Sequence, residues 1–212
     1  GGPYELAKIF SKSLEFNNGF DESDLRNRYL NWWRGDAFDT GPTYASVFSK
    51  INKGMDPKLT VKKVHEDFRF NTAGCGPAHR ATPLAGSTNI PTDKLISIAR
   101  LEAKITHFDD DAGNGSAIVV MLCRYLLEGK GWEKANFLLA NHRDLQESWH
   151  KVKNAKLSPD GYIFNVIHSA LYFIDNNKLL KDTFKFAGKA NYCPIIFSVI
   201  KTCIERQIIY KN

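Results

Sequence analysis

Apolar residues recur at three- and four-residue spacing along most of this chain, the period of an amphipathic helix. Leu6, Ile9, Phe10 and Leu14 predict a helix over 4–16, with Gly19 shortly after its end. Asp21 or Ser23 is placed to cap a second helix carrying Leu25, Tyr29, Leu30 and Trp33, which Gly35 and Asp36 break. The turn Asp39-Thr40-Gly41-Pro42 leads into a third, from about Thr43 to Lys53. Residues 54–73 are polar and show no long periodic run; 65–73 are the one candidate for briefly paired extended chain. Leu95, Ile96, Ile98, Ala99 and Ile105 mark a helix ending near Thr106-His107-Phe108. Another carries Ile118, Val119, Leu122, Tyr125 and Leu126 and stops at Gly129-Lys130-Gly131. Residues 132–153 read as helix with a ragged apolar face. Ser158-Pro159-Asp160 starts a strong helix containing Tyr162, Ile163, Val166, Ile167, Ala170, Leu171 and Ile174, closed by Asp175-Asn176-Asn177. The last runs from about Tyr192 to Ile208. No stretch alternates with period two for long enough to be a strand. The expected fold is all-α, a helical bundle with short connections.

One stretch interrupts this pattern. Residues 74–86 (Gly74-Cys75-Gly76-Pro77-Ala78-His79-Arg80-Ala81-Thr82-Pro83-Leu84-Ala85-Gly86) hold five Gly or Pro, too many for a helix interior. A plain helix–helix connector would look like this. So would an anion-binding loop that opens a helix and ends in Arg80.

Composition narrows the class. The 212 residues are 43% hydrophobic and 25% charged, enough apolar material for a core. No linker, repeat or low-complexity tract divides them, so one domain over 1–212 is expected. The longest apolar run, Ala117 to Cys123, is far too short to span a bilayer. The formal charge of +6 comes from scattered lysines, with Lys62-Lys63 the only tight basic pair in the first half. No aromatic residues interleave with a basic stripe, so nucleic acid is not an expected partner. The four cysteines, Cys75, Cys123, Cys193 and Cys203, form no C-x-x-C pair, which argues against a zinc site. Cys123, Cys193 and Cys203 lie in apolar helical patterns and read as buried small hydrophobes. This favours a reducing intracellular compartment, cytoplasm or organelle matrix. No nucleophile-elbow Gly-x-Ser-x-Gly, Walker loop or His-Glu-x-x-His occurs.

Several landmarks, in order, resemble the ADP-ribosylglycohydrolase family, all-α hydrolases that remove ADP-ribose from proteins or related acceptors. Glu5-Leu6-Ala7 with Ser13-Leu14 is similar to the helix after the family's first metal motif. Phe20-Asp21 through Trp32 or Trp33 is similar to the next helix and its aromatic end. Asp39-Thr40-Gly41-Pro42-Thr43 resembles its Gly-Thr turn. Residues 74–81 resemble its glycine loop ending in Met-Arg, with His79 where Met is usual. Leu101 through Thr106-His107 resembles the helix ending in Thr-His. Gly161-Tyr162 opens a helix as in the family, and Gly188 introduces its last helix at the second metal motif. The resemblance implies an ADP-ribose or nucleotide ligand, with Gly74, Gly76, Arg80 and His107 as candidate binding residues. Taken as residues alone, Arg80 suits a diphosphate or a structural carboxylate equally. His107 suits a ligand contact or a helix C-terminal charge.

The family's chemistry uses two Mg²⁺ ions held by carboxylates, from a Thr-Asp-Asp motif and an Asp-x-Asp-Thr/Ser motif. This sequence departs at both. Gly2-Pro3-Tyr4 stand where the first acids belong, and Lys189-Ala190-Asn191-Tyr192 where the second do. Lys189 places a cation where cations would bind, and Asn191 offers one carbonyl oxygen. The family's earlier N-terminal helix has no counterpart, and Gly35-Asp36-Ala37 repeats its Gly-Asp-Ala letters in the wrong place. Asp109-Asp110-Asp111 is the only acidic cluster and reads as a solvated turn. The expectation is therefore a member with both Mg²⁺ lost, no catalytic residues and no metal ligands. It would serve as a structural or interaction protein with protein partners, a subunit of a larger assembly. The alternatives are an active ADP-ribosyl hydrolase with an altered metal site, and a metal-independent ADP-ribose or nucleotide-binding module.

Overall fold

The computed structural model describes residues 1–35 and 37–206. Asp36 of the Gly35-Asp36-Ala37 stretch and the expected helix end at Ile208 lie outside them.

The all-α expectation holds among the described residues. Helix α1 (Gly2–Phe16) opens on Pro3, whose missing N–H costs nothing in a first turn, and buries Leu6, Phe10, Ser13 and Leu14. Asp21 caps α2 (Glu22–Arg34), accepting from the Asp24 amide at 2.8 Å. The Ser13 hydroxyl donates to Asp24 Oδ2 at 2.6 Å and Asn17 Nδ2 to the same oxygen at 2.9 Å, which fixes the α1–α2 corner. Helix α3 (Pro42–Asn52) follows the residue 39–42 turn.

Residues 54–73 depart from the expectation of no regular structure. They contain α4 (Pro57–Asp67), capped by Asp56, which accepts from the Leu59 amide. Only Thr60, Val61 and Val64 are buried on this helix, an apolar face too short to register as a period. Residues 65–67 therefore end a helix. The extended pairing lies just beyond, where Gly74 bridges Tyr162, the Cys75 amide donates to the Gly161 carbonyl at 3.1 Å and the Ile163 amide to the Ala73 carbonyl at 3.0 Å.

The Gly/Pro stretch folds as two short helices, α5 (Gly76–Arg80) and α6 (Pro83–Gly86), each with proline at its start. A 3₁₀ turn, Thr92–Lys94, leads into α7 (Leu95–Ala103). Helix α8 (Asp110–Leu127) is buried almost all round, which identifies it as the central strut. It packs against α5, α6, α7, α9 (Trp132–Ala140), α10 (Gln146–Lys153), α11 (Ile163–Asp175) and α13 (Tyr192–Glu205). The ragged 132–153 stretch is thus two helices, α9 and α10. Helix α12 (Leu180–Ala187), not expected from the sequence, packs on α13 and buries only Thr183 and Ala187.

Arg124 on α8 is buried without a carboxylate. Its guanidinium instead donates to the carbonyls of Leu84, Ala85, Ser87 and Ile90 at 2.7–3.2 Å, so it serves as the anchor of the loop between α6 and α7. One apolar cluster runs from Leu6 to Ile200. Cys123 and Cys193 are buried in it as expected, whereas Cys203 is half-buried at its edge. No helix among the described residues is long and apolar enough to cross a membrane.

Candidate functional site

A cleft of about 710 Å³ gathers residues from six parts of the chain. Its walls are the start of α1, the residue 39–42 turn into α3, the stretch from Phe68 and Asn71 after α4 through the glycine loop and α5, His107 after α7, residues 160–162 before α11, and residues 189–192 before α13.

The floor is built on Arg80. The side chain is 1% exposed, and its Nε donates to Oε1 of the fully buried Glu102 at 2.6 Å. The Tyr29 hydroxyl donates to the same oxygen at 2.9 Å, and the Tyr44 hydroxyl to the Tyr29 carbonyl at 3.1 Å. The guanidinium carbon lies 5.2 Å from the Tyr29 ring centre and 5.9 Å from that of Tyr44, within cation–π range. Burial opposes the Arg80 charge, yet the Glu102 carboxylate holds its pKa above the ordinary value. Burial and the same carboxylate push the Tyr29 phenol well above 10. Of the two partners left open for Arg80, the structure supplies the carboxylate.

Arg80 also donates through a terminal nitrogen to the Thr106 hydroxyl at 2.8 Å, and that hydroxyl sits 2.7 Å from His107 Nδ1. The imidazole of His107 fills the space above the glycine loop. A Cβ at Gly74 would stand 3.3 Å from Nε2 and one at Gly76 3.3 Å from Cε1, tighter than ordinary contact. A side chain at either position would require the imidazole to shift by a few tenths of an ångström. Burial, and then the Arg80 charge, keeps the His107 pKa well below 6.5. All four sequence candidates, Gly74, Gly76, Arg80 and His107, meet at this point of the cleft.

His79 and Tyr192 carry the opposite wall, and sequence reasoning did not find them. Nε2–H of His79 donates to the Tyr192 carbonyl at 3.1 Å, and the two rings stack with centres 6.3 Å apart. Gly161 leaves room for the Tyr192 ring, which lies 3.2 Å from where its Cβ would be. Burial lowers the His79 pKa to about 4. A histidine in place of the usual methionine was the one available signal, because only it supplies a donor here.

The donor set does not fit a binuclear Mg²⁺ centre. Gly2 is packed so tightly on residues 38 and 39 that a Cβ would collide with the carbonyl oxygens of Phe38 and Asp39. Tyr4 is 65% exposed and points away from the cleft. At the other motif, Lys189 and Asn191 line the cleft itself. Among the described lining residues the carboxylates are Asp39 and Asp160. Asp160 Oδ1 accepts from the Tyr162 amide at 3.0 Å; Oδ2 accepts from the Ser158 hydroxyl at 2.8 Å and Asn165 Nδ2 at 3.0 Å. Burial would raise its pKa, but these hydrogen bonds bring it below the ordinary value. Mg²⁺ demands octahedral oxygen ligation, and the one further carboxylate, Asp39, in a cleft also lined by Lys189 does not provide it. The acidic cluster offers no replacement, since it lies outside the lining. Asp109 caps α8, Asp110 pairs with Lys104 at 2.7 Å, and Asp111 pairs with Lys151 at 3.3 Å and accepts from the Tyr162 hydroxyl.

A family model described as ADP-ribosylglycohydrolase matches residues 5–187. A solved structure described as an ADP-ribosylglycohydrolase-related protein complex is similar in fold. It is 21% identical, with a TM-score of 0.71, over 96% of this chain and 70% of that one. Among curated proteins none matches this sequence.

Two outcomes follow from the buried groups. Glu102→Ala leaves the Arg80 cation buried without its partner and is expected to lower unfolding free energy by about 3–5 kcal/mol in urea titration. His79 binds a proton in the unfolded chain near pH 6.5 but only near pH 4 when folded. Its contribution is complete above about pH 6.5 and is lost as pH falls toward 4, on the order of 3 kcal/mol. Denaturant titrations across that window are expected to show the fall, and His79→Met to flatten it.

Proposed function

The chain belongs to the ADP-ribosylglycohydrolase family, and we propose that it is a catalytically inactive member, acting by interaction rather than by hydrolysis. The observation that carries this reading is the content of the cleft wall. Lys189 and Asn191 line the cleft at the positions that resemble the family's second metal motif, and the closed packing at Gly2 leaves no room for a side chain at the first. A unit cation a few Å from a divalent ion is repelled by several kcal/mol at the effective dielectric of a protein surface. A role as a subunit of an assembly with other proteins accords with the description of the solved neighbour as part of a complex.

A second reading is favoured by the cleft being open. A volume of about 710 Å³ is of the size that small-molecule sites occupy. Lys189 and His107 supply a cationic and a neutral donor along it. On this reading the chain holds ADP-ribose or a related nucleotide without a metal, its two phosphates balanced by the lysine rather than by Mg²⁺.

Titration calorimetry with ADP-ribose, with and without Mg²⁺, separates the possibilities, together with an assay for ADP-ribose release from ADP-ribosylated protein. The expected result is no release and no effect of Mg²⁺ on binding. Heat of binding that Mg²⁺ leaves unchanged supports the nucleotide-holding role, and no heat at all supports interaction alone. Binding strengthened by Mg²⁺, or release above the uncatalysed rate, overturns the proposal.

A further inference from the structure

The hydrogen bonds beneath the cleft determine where the single proton of His107 sits. A guanidinium only donates, so the Thr106 hydroxyl oxygen is the acceptor of its 2.8 Å bond from Arg80. That hydroxyl has one hydrogen of its own. Thr106 is fully buried, and among the described residues its remaining bonded partner is His107 Nδ1 at 2.7 Å. If Nδ1 carried the proton, the Thr106 oxygen would accept twice and its hydrogen would be buried without an acceptor. A donor stranded in that way costs about 1–3 kcal/mol. If Nδ1 is bare, the Thr106 hydroxyl donates to it, and the Arg80-to-Thr106 and Thr106-to-His107 hydrogens each have an acceptor.

The Arg80 charge points the same way. Its guanidinium is held by Glu102 Oε1 at 2.6 Å and by the Tyr29 and Tyr44 rings, so it cannot turn away from Thr106. A fixed cation on the Nδ1 side of the ring disfavours a proton there relative to the far nitrogen. The ring lies close over the glycine loop, where a Cβ at Gly74 or Gly76 would stand 3.3 Å from it, and His107 lines the cleft.

We propose that the chain Tyr29–Glu102–Arg80–Thr106 holds His107 in the Nε2–H tautomer, and that the cleft floor therefore presents a hydrogen-bond donor, selecting a ligand with an oxygen acceptor there. Thr106 is the positioning residue in this arrangement, since it alone joins the ion pair to the ring. The donor keeps its character through the neutral pH range, because burial and Arg80 suppress a second proton on the imidazole. The ligand half of this inference rests on the reading that the cleft binds a nucleotide; the tautomer half does not.

Long-range ¹H–¹⁵N spectra of the ¹⁵N-histidine protein report the tautomer directly, with His107→Gln used to assign the signal. The expected spectrum has Nε2 protonated and Nδ1 unprotonated. Thr106→Val, close in shape but without the hydroxyl, is expected to release the Nδ1 constraint and mix the tautomers, while Thr106→Ser keeps the native pattern. Protonated Nδ1 in the native chain overturns the proposal, and an unchanged pattern in the Val variant overturns the positioning role given to Thr106. A Val variant that fails to fold leaves the decision to the native and Ser spectra, since an altered Ser pattern also contradicts it. In calorimetry with ADP-ribose as the probe, Thr106→Val is expected to weaken binding ~tenfold and Thr106→Ser to leave it near native. Absence of ADP-ribose binding to the native chain refutes the ligand half and the nucleotide reading together, with the tautomer decided by the spectra.

Discussion

The Arg80–Glu102 ion pair is the constraint on which the rest of this structure depends. A guanidinium taken wholly out of water costs several kcal/mol unless its charge is paired, and here four different elements supply the carboxylate, the hydroxyl acceptor and the two ring faces around it. Glu102 comes from α7, Tyr29 from α2, Tyr44 from α3, and Thr106 from the turn after α7. Because each partner must reach the same cation, the four elements are held in one arrangement around α5. That arrangement sets the height of the glycine loop above the core. It also puts His107 against the two glycines, which have no side chain to keep it out.

The cleft above the pair unites positions that the sequence scatters across almost 190 residues. The arrangement is steric and hydrogen-bonded: the residue 39–42 turn, the glycine loop, His107, and residues 160–162 line one cleft. The carboxylate ligation that the family resemblance implies is what the residues present do not supply. The two departures differ in kind. At Gly2 the backbone has closed on residues 38 and 39, so a carboxylate there would require the α1 start to move. At Lys189 the position still faces the cleft, but with the opposite charge. His79 and Tyr192 brace this second wall through a donor that methionine would lack. The wall is thus maintained by contacts of its own.

Much of the fold was legible because helices α1, α8, α11 and α13 each bury a long apolar stripe, and a stripe of several turns shows through any composition. Helices α4 and α12 were hidden for the opposite reason: each buries two or three residues, and such a face has no measurable period. The break between α9 and α10, residues 141–145, is short and holds no Gly or Pro to mark it. For the site, Gly74, Gly76, Arg80 and His107 could be named from the ordered landmarks. What they do could not, because their partners are distant in sequence and carry no local mark. Glu102 is one glutamate on an ordinary helix, and Tyr192 stands 113 positions from the histidine it braces. The sequence leaves the glycine stretch open between a connector and an anion-binding loop; what stands over Gly74 and Gly76 is His107.

The central claim is that this cleft retains its shape without the means to bind two metal ions. Titration of the protein with Mn²⁺ in the presence of ADP-ribose, followed by electron paramagnetic resonance of the free ion, tests it most directly. The account predicts that the free Mn²⁺ signal tracks the added ion as it does in buffer with ADP-ribose alone. Disappearance of two equivalents of Mn²⁺ per chain would contradict it.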